Sequence, residues 1–200
     1  MLNNLQNYRI LLASNSPRRQ ELLRNMGVNF EVVSKNGVDE SYPDTIKAKN
    51  VPEYLAKKKA SAYTDLLSDG KTILITADTV VVVDKQILGK PHTEAEACSM
   101  LKQLQGNSHR VLTGVAITSR DKQVSFTVKT KVMMRNLSEE IIKHYVTKYR
   151  PLDKAGAYGI QEWIGLVGID HIEGSYHNVM GLPTQRLFME LENFLSTDKN

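Results

Sequence analysis

Apolar residues in this chain gather either into short β-branched runs or into stripes that recur every three to four positions, and the two patterns alternate. Tyr8 to Ala13 reads as a strand. Ser16-Pro17 then opens a helix through Met26, and Gly27 stands where a helix end favours glycine. A polar stretch over 34–50 leads to a second helix near Pro52, proline being well suited to a first helical turn. Leu55, Ala56, Ala60, Tyr63, Leu66 and Leu67 share one arc of that helix. Between Lys71 and Gln86, the runs Ile73-Leu74-Ile75 and Val80 to Val83 are too β-branched to be anything but buried strand.

Thr93-Glu94-Ala95-Glu96 has the form of a capping box, followed by Ala97, Met100, Leu101 and Leu104 on one helical face and Gly106 at its end. Strands are expected around Val111 to Ile117 and Val124 to Met134. Ser138 caps a helix carrying Ile141, Ile142, Tyr145 and Val146, which Pro151 forbids to continue. Residues 152–161 read as loop and Leu166 to Ile172 as short strands. Gly181-Leu182-Pro183 leads to a last helix with Leu187, Phe188, Leu191 and Leu195 inward. Helices interleaved with strands predict an α/β fold, and strands that follow one another directly make its sheet mixed.

Composition narrows the class without naming a chemistry. Two hundred residues fit one large domain or two intimate lobes, and 41% hydrophobic with 24% charged residues match an ordinary globular protein. The lone Cys98 can form neither an intrachain bridge nor a Cys-rich zinc site, which points to a reducing compartment. Met1 to Asn7 lacks the basic start and apolar stretch of a signal peptide, and no run has membrane-spanning length. A cytoplasmic protein without a membrane partner is expected. A formal charge of +4 would suit a polyanion, but the lysines are scattered and no groove-reading module is present, so nucleic acid is not expected as a partner. Homodimers are common on general grounds, yet no exposed stripe demands one.

Three constellations carry candidate chemistry. Ser14-Asn15-Ser16-Pro17-Arg18-Arg19 places two arginines in the first turn of a helix, where cations oppose the helix dipole by a few tenths to about 1 kcal/mol each. Such breaks of a local rule belong at functional sites, and serine hydroxyls, backbone amides and guanidiniums together make a phosphate cradle. The plainer alternative is a capped helix with arginines paired to surface carboxylates. Lys59 falls inside the apolar arc of the second helix, whereas Lys57 and Lys58 point away with Ser61, Thr64 and Asp65. It must snorkel out or meet an anion in a cleft beside the helix.

Asp78 interrupts what would otherwise be a continuous buried strand, a position that both β-propensity and desolvation oppose. If the chain reverses at Asp84-Lys85, Val83 faces Gln86 and Thr79 lies opposite Lys90, which sets an acid and a base close together on adjacent strands; a structural ion pair between Asp78 and Lys90 is the alternative. That turn lacks the favoured Asp-Gly sequence. The histidines at 92, 109, 144, 171 and 177 include no pair at zinc-like helical spacing and read as ordinary polar or capping residues. Neither a Walker A sequence nor Gly-x-Gly-x-x-Gly occurs. Carboxylates with phosphates suit magnesium instead, with Asp39 and Glu40 as further candidate ligands.

The run Leu12-Ala13-Ser14-Asn15-Ser16-Pro17-Arg18-Arg19 with Glu21-Leu22-Leu23, then Leu55-Ala56 with Lys59-Ala60, Ala77-Asp78-Thr79-Val80-Val81, Leu88-Gly89-Lys90-Pro91, His109-Arg110-Val111 with Thr113-Gly114, Asp153 to Gln161, and Gly181-Leu182-Pro183 together closely resemble the Maf nucleotide pyrophosphatases. The blocks occur in order over nearly the whole chain. The resemblance implies a single domain over residues 1–200, with an elongated mixed sheet flanked by helices and a cleft between two lobes, similar to the house-cleaning inosine triphosphate pyrophosphatases. It implies hydrolysis of nucleoside triphosphates between the α- and β-phosphates with a divalent cation, Mg²⁺ being expected. On the matching positions Asp78 is the general base, Arg18, Arg19, Lys59 and Lys90 hold phosphates, and Ser14 lines the cradle. Arg18, Thr79 and Gln161 match positions tied to substrate choice. Glu40 and Asp78 are the implied metal ligands, Glu40 from a variable stretch. Gly159-Ile160-Gln161 is similar to the branch that acts on dTTP and UTP, with the glutamine amide pairing to the O4 and N3–H of the base and neighbouring hydrogen bonds fixing the amide's orientation. Asp84-Lys85 departs from the Asp-Gly of many members. Inhibition of septum formation is also associated with the family, so the alternative is a nucleotide-binding regulator of cell division that acts through a protein partner.

Overall fold

A computed structural model describes residues 3–196, with side chains from Leu5 onward. Met1 and Leu2, at the start of the segment whose composition argues against a signal peptide, lie outside the described residues, as do 197–200. The strands are β1 (Arg9–Leu12), β2 (Glu31–Val32), β3 (Thr72–Val83), β4 (Gln86–Leu88), β5 (Ser108–Thr118), β6 (Gln123–Met134) and β7 (Ile169–Glu173). Between them lie the helices α1 (Pro17–Asn25), α2 (Val51–Ser61), α3 (Glu94–Leu104), α4 (Glu139–Tyr149), α5 (Trp163–Gly168), α6 (Tyr176–Met180) and α7 (Thr184–Ser196). The strands form one sheet in the order β2-β1-β3-β5-β6-β7, with β4 pairing to β3. It is mixed: β1 runs parallel to β2 and β3, while β3–β4 and β6–β7 are antiparallel.

Local signals place the ends of α3 and α4. Thr93 accepts from the Glu96 N–H and Glu96 reaches back to the His92 N–H at 2.7 Å, a reciprocal cap one residue wider than the usual box. Ser138 caps α4 through the Ile141 N–H, and α4 ends at Arg150 in the left-handed region ahead of Pro151.

By contacts the chain divides into two compact units. The first comprises residues 1–78, 113–128 and 181–200, and the second 79–112 and 129–180. Leu11, Ala13, Ala60, Tyr63, Leu67 and Leu74 form a core cluster in the first, where Leu11 of β1 and Leu74 of β3 meet Ala60 of α2 and the apolar residues that follow that helix. In the second, Val81, Val83, Leu101, Leu104, Val132, Met134, Ile142 and Tyr145 belong to a larger cluster that also takes in Tyr158, Ile160 and Ile164.

Some expectations need correction. Leu166 to Gly168, expected as strand, is the end of a helix that begins at Trp163, and the only strand in this stretch is β7 at 169–173. Ile164 and Gly168 are buried while Leu166 is 83% exposed, the spacing of a helix and not of a strand, in which 164, 166 and 168 would share a face. A Cβ on Gly165 would stand 1.7 Å from the Ile160 carbonyl oxygen, so the chain doubles back here in a way only glycine permits. The second helix stops at Ser61, and its apolar arc continues into a 3-10 turn at Thr64–Leu67. In α7, Phe194 is buried with Leu187, Leu191 and Leu195, whereas Phe188 is only partly so.

Candidate active site

The centre of the site follows from where β3 and α2 put two charged side chains. All twelve residues of β3 are buried except Asp78 and Thr79, which are half-buried. One turn of α2 is tied to that strand by a hydrogen bond from the Thr76 hydroxyl to the Ala56 carbonyl at 2.7 Å. Two residues beyond Thr76 and three beyond Ala56, the Lys59 ammonium donates to Asp78 Oδ1 at 2.6 Å. Glu40 Oε1 lies 2.9 Å from the same nitrogen. The Lys59 and Asp78 side chains are only 13% and 14% exposed. Lys59 therefore does not snorkel; it gathers two carboxylates. The ion pair made by Asp78 is with Lys59, which replaces the alternative pairing to Lys90.

Adjacent Lys58 holds the Glu40 segment from the other side. Its ammonium reaches Asp39 Oδ2 and the Ser41 carbonyl, each at 2.7 Å, and Asp39 in turn accepts from the Ser41 N–H and hydroxyl. These bonds hold the Asp39 carboxyl well below the usual carboxylate range. Asp39 is thus engaged by Lys58, and of the two candidate acidic neighbours it is Glu40 that joins Asp78 on the Lys59 ammonium.

Arg19 is anchored beside Asp78. Its guanidinium donates to the Ala77 carbonyl at 2.9 Å and the Gly181 carbonyl at 2.8 Å, with Ser14 Oγ at 3.4 Å. Ser14 Oγ also accepts from the Ser16 N–H at 3.3 Å. The first turn of α1 contains no acidic residue, and Ser16 gives it no side-chain cap. Burial pulls the Arg19 pKa down, Asp78 and Glu40 pull it up, and neighbouring Arg18 adds to the lowering. The Arg19 guanidinium is thus desolvated next to another cation and only partly offset by Asp78 and Glu40, an arrangement that a further anion relieves.

Thr79, Lys90 and Gln161 belong to the second unit. The hairpin turns at Asp84-Lys85, both with positive φ (46° and 70°), the left-handed pair of a two-residue turn normally given to Asn-Gly or Asp-Gly. The register Val83↔Gln86 is as expected, but pairing ends at Val81↔Leu88, so Thr79 and Lys90 lie past the paired segment. Beyond β4, the Gly89 carbonyl accepts from the Gly156 N–H at 3.0 Å. Gly156 (φ +69°) rests on Val81, whose Cγ2 would stand 2.9 Å from an added Cβ. The exposed Gln161 follows this loop. No hydrogen bond fixes its amide among the described residues, contrary to the expectation, because the nearby polar groups are engaged with one another.

Sequence reasoning missed several of these groups. The Ala77 and Gly181 carbonyls that seat Arg19 are backbone atoms, with no side-chain type to reveal them. Also missed were the ion pairs of Lys154, buried at 9% side-chain exposure, with Asp153 (2.6 Å) and Glu162 (3.0 Å). Lysine in a loop otherwise small and apolar was the signal available.

The donor set suits a hard divalent cation. Two carboxylate oxygens already converge on one positive charge, and Mg²⁺ is commonly held by one or two carboxylates together with substrate phosphates. Among the described residues no group of three or more His, Cys, Asp or Glu side chains is placed to hold a metal, so any such ion depends on this pair and on other oxygens.

A carboxylate–lysine centre beside an anchored arginine has the chemistry that a phosphorylated ligand would suit. The family model for Maf-like proteins matches residues 9–194, and the chain belongs to that family. A dTTP/UTP pyrophosphatase of Phocaeicola vulgatus is 51% identical over 96% of this chain and 99% of its own length. Similar proteins of the same description occur in Bacteroides thetaiotaomicron (50% identity, 96% and 99% covered) and Porphyromonas gingivalis (48%, 97% and 98%). A solved dITP/XTP pyrophosphatase from Mycobacterium abscessus overlaps 64% of this chain and 75% of its own, at 15% identity and a TM-score of 0.39, too loose to build on. No helix among the described residues is long and apolar enough to cross a membrane.

Proposed function

We propose that this chain hydrolyses dTTP and UTP to the nucleoside monophosphate and pyrophosphate. The observation that carries the proposal is the convergence of Asp78 and Glu40 on Lys59, with Arg19 seated on the carbonyl that precedes Asp78. The relatives described as dTTP/UTP pyrophosphatases, near 50% identical over almost their full length, support the same substrates.

In this reading Asp78 accepts a proton from the water that attacks the α-phosphorus in line with the departing pyrophosphate. Its preorganisation is set by the strand that carries it and by the Lys59 hydrogen bond. Arg18, Arg19 and Lys59 receive phosphate oxygens, and their charge counters the negative charge that grows on the leaving group. The Ser14 hydroxyl, already oriented by Arg19 and the Ser16 N–H, lines the cradle. Lys90 is assigned to phosphate as well, and Thr79 and Gln161 to substrate choice. A divalent cation, Mg²⁺ in our reading, would be held by Asp78 and Glu40 and would supply Lewis-acid polarisation of the phosphate oxygens. The lone Cys98 accords with action in the cytoplasm.

Gln161 carries the base reading because a glutamine amide offers the donor and the acceptor that uracil and thymine require. A panel of nucleoside triphosphates with Mg²⁺, scored separately for pyrophosphate and orthophosphate, should show dTTP and UTP as the good substrates and dCTP, dATP and dGTP as poor ones. Gln161→Glu should weaken that preference. Specificity constants that rank GTP above dTTP and UTP would overturn it.

A further inference from the structure

Resting on the base reading just given, we infer that Tyr145, Glu162 and Lys154 are positioning residues that fix Gln161 and thereby set base selectivity. Since no hydrogen bond among the described residues holds the Gln161 amide, its place is governed by its backbone. That backbone is pinned at both sides. The Gly159 N–H donates to the Tyr145 hydroxyl at 3.1 Å, and the Tyr145 hydroxyl donates to Glu162 Oε2 through a short hydrogen bond. Glu162 Oε1 pairs with the Lys154 ammonium at 3.0 Å. The Glu162 N–H closes back on the Gly159 carbonyl at 3.0 Å, so Ile160 and Gln161 form the tip of a two-residue excursion whose stem is bonded twice.

The anchor is rigid. Tyr145 has no exposed surface, sits mid-way along α4 and stacks on Tyr149 at 5.2 Å between ring centroids. Burial, together with the adjacent carboxylate, pushes its hydroxyl pKa well above the usual tyrosine value. It therefore stays an O–H, able to donate to Glu162 while accepting from Gly159. Gly159 makes the crossing possible. An added Cβ there would lie 2.9 Å from Glu162 Cδ and 3.1 Å from Gln161 Nε2, so the carboxylate that belongs to the network and the amide that reads the base pass over the same glycine. A shift of Glu162 cannot leave Gln161 where it is.

Such a network does a different job from the Lys59 centre. It contributes nothing to the phosphates, which every nucleotide shares, and acts only through the contact that distinguishes one base from another. Removing the Tyr145 hydroxyl should cost dTTP and UTP their advantage and leave the poor substrates untouched, because those never used the Gln161 contact.

The test is a steady-state comparison of dTTP, UTP, dCTP and dGTP for wild type, Tyr145→Phe, Glu162→Gln and Gln161→Ala, with Gln161→Ala also placed in the Tyr145→Phe background. The structure predicts that kcat/KM for dTTP and UTP falls on the order of 10-fold in Tyr145→Phe and Glu162→Gln, mainly through KM, with dCTP and dGTP unchanged. In the double variant Gln161→Ala should add little, since both changes act on one contact. A parallel fall for all four nucleotides, or full additivity in the double variant, would show a merely structural role and overturn the inference. Glu162→Gln retains a side chain of nearly the same shape and serves if Tyr145→Phe fails to fold. A wild type without preference for dTTP and UTP would overturn the base reading and this inference together, whereas a preference that survives in both single variants overturns this inference alone.

Discussion

Lys59 Nζ lies 2.6 Å from Asp78 Oδ1, and the same ammonium is 2.9 Å from Glu40 Oε1. One cation thus holds two carboxylates that would otherwise repel each other, and both members of the shorter pair are largely withdrawn from water. Asp78→Asn keeps the shape of the centre but cannot accept a proton, so turnover should fall by about 100-fold or more while the fold persists. Lys59→Ala should lower activity as well. Lys57→Ala, at an exposed position of the same helix, should not. Circular dichroism to check the fold, with steady-state rates for the three variants, decides the matter; near-wild-type turnover in folded Asp78→Asn would remove its assigned role.

Lys58 should act on cation affinity and not on chemistry. It fixes Asp39 and Ser41, the two residues that flank Glu40, and leaves the Glu40 carboxylate to its neighbour Lys59. In Lys58→Ala the half-saturating Mg²⁺ concentration should rise on the order of 10-fold, with kcat at saturating Mg²⁺ little changed. Glu40→Gln should raise it further. Titration of activity against Mg²⁺ at fixed dTTP gives both numbers.

The legibility of this site in the sequence depended on the kind of signal each residue leaves. Asp78 stood out because a carboxylate breaks a β-branched strand, and Lys59 because helical phase set it on an apolar face. The arginine pair stood out by opposing the helix dipole. Glu40 had no such signal, since the polar stretch over 34–50 has no period to violate; only the Lys58 and Lys59 contacts distinguish it from Asp39. The hairpin reversal at Asp84-Lys85 was readable, but the end of pairing at Leu88 was not, because strand length there is set by the docking of Gly89 onto Gly156. Leu166 to Gly168 misled for a related reason: the end of an apolar run with glycines fits strand or helix until Gly165 is seen against the Ile160 carbonyl.

A pH effect on stability should trace to His109. Its Nε2 shares a 2.7 Å hydrogen bond with the Tyr158 hydroxyl, and its Nδ1 is buried without a hydrogen-bond partner among the described residues. Burial pushes its pKa down from 6.5 to about 4. The unfolded chain therefore binds a proton that the folded one refuses, so this contribution is full above pH 6.5 and is lost as the pH falls toward 4. The loss over that window is on the order of 3 kcal/mol. Carboxylates held low by ion pairs, such as Glu31 with Arg9, act below about 4.5 and overlap only its acid end. Urea unfolding between pH 7 and pH 4.5 should show stability falling with acid in the wild type and a flatter profile in His109→Gln; equal slopes would exclude His109 as the source.

The central claim is attack of water at the α-phosphorus beside Asp78, and the most direct measurement is hydrolysis of dTTP in ¹⁸O-labelled water with mass analysis of both products. One solvent oxygen should appear in dTMP and none in pyrophosphate. Label in the pyrophosphate, or release of labelled orthophosphate in its place, would put the attack on another phosphorus and contradict the account.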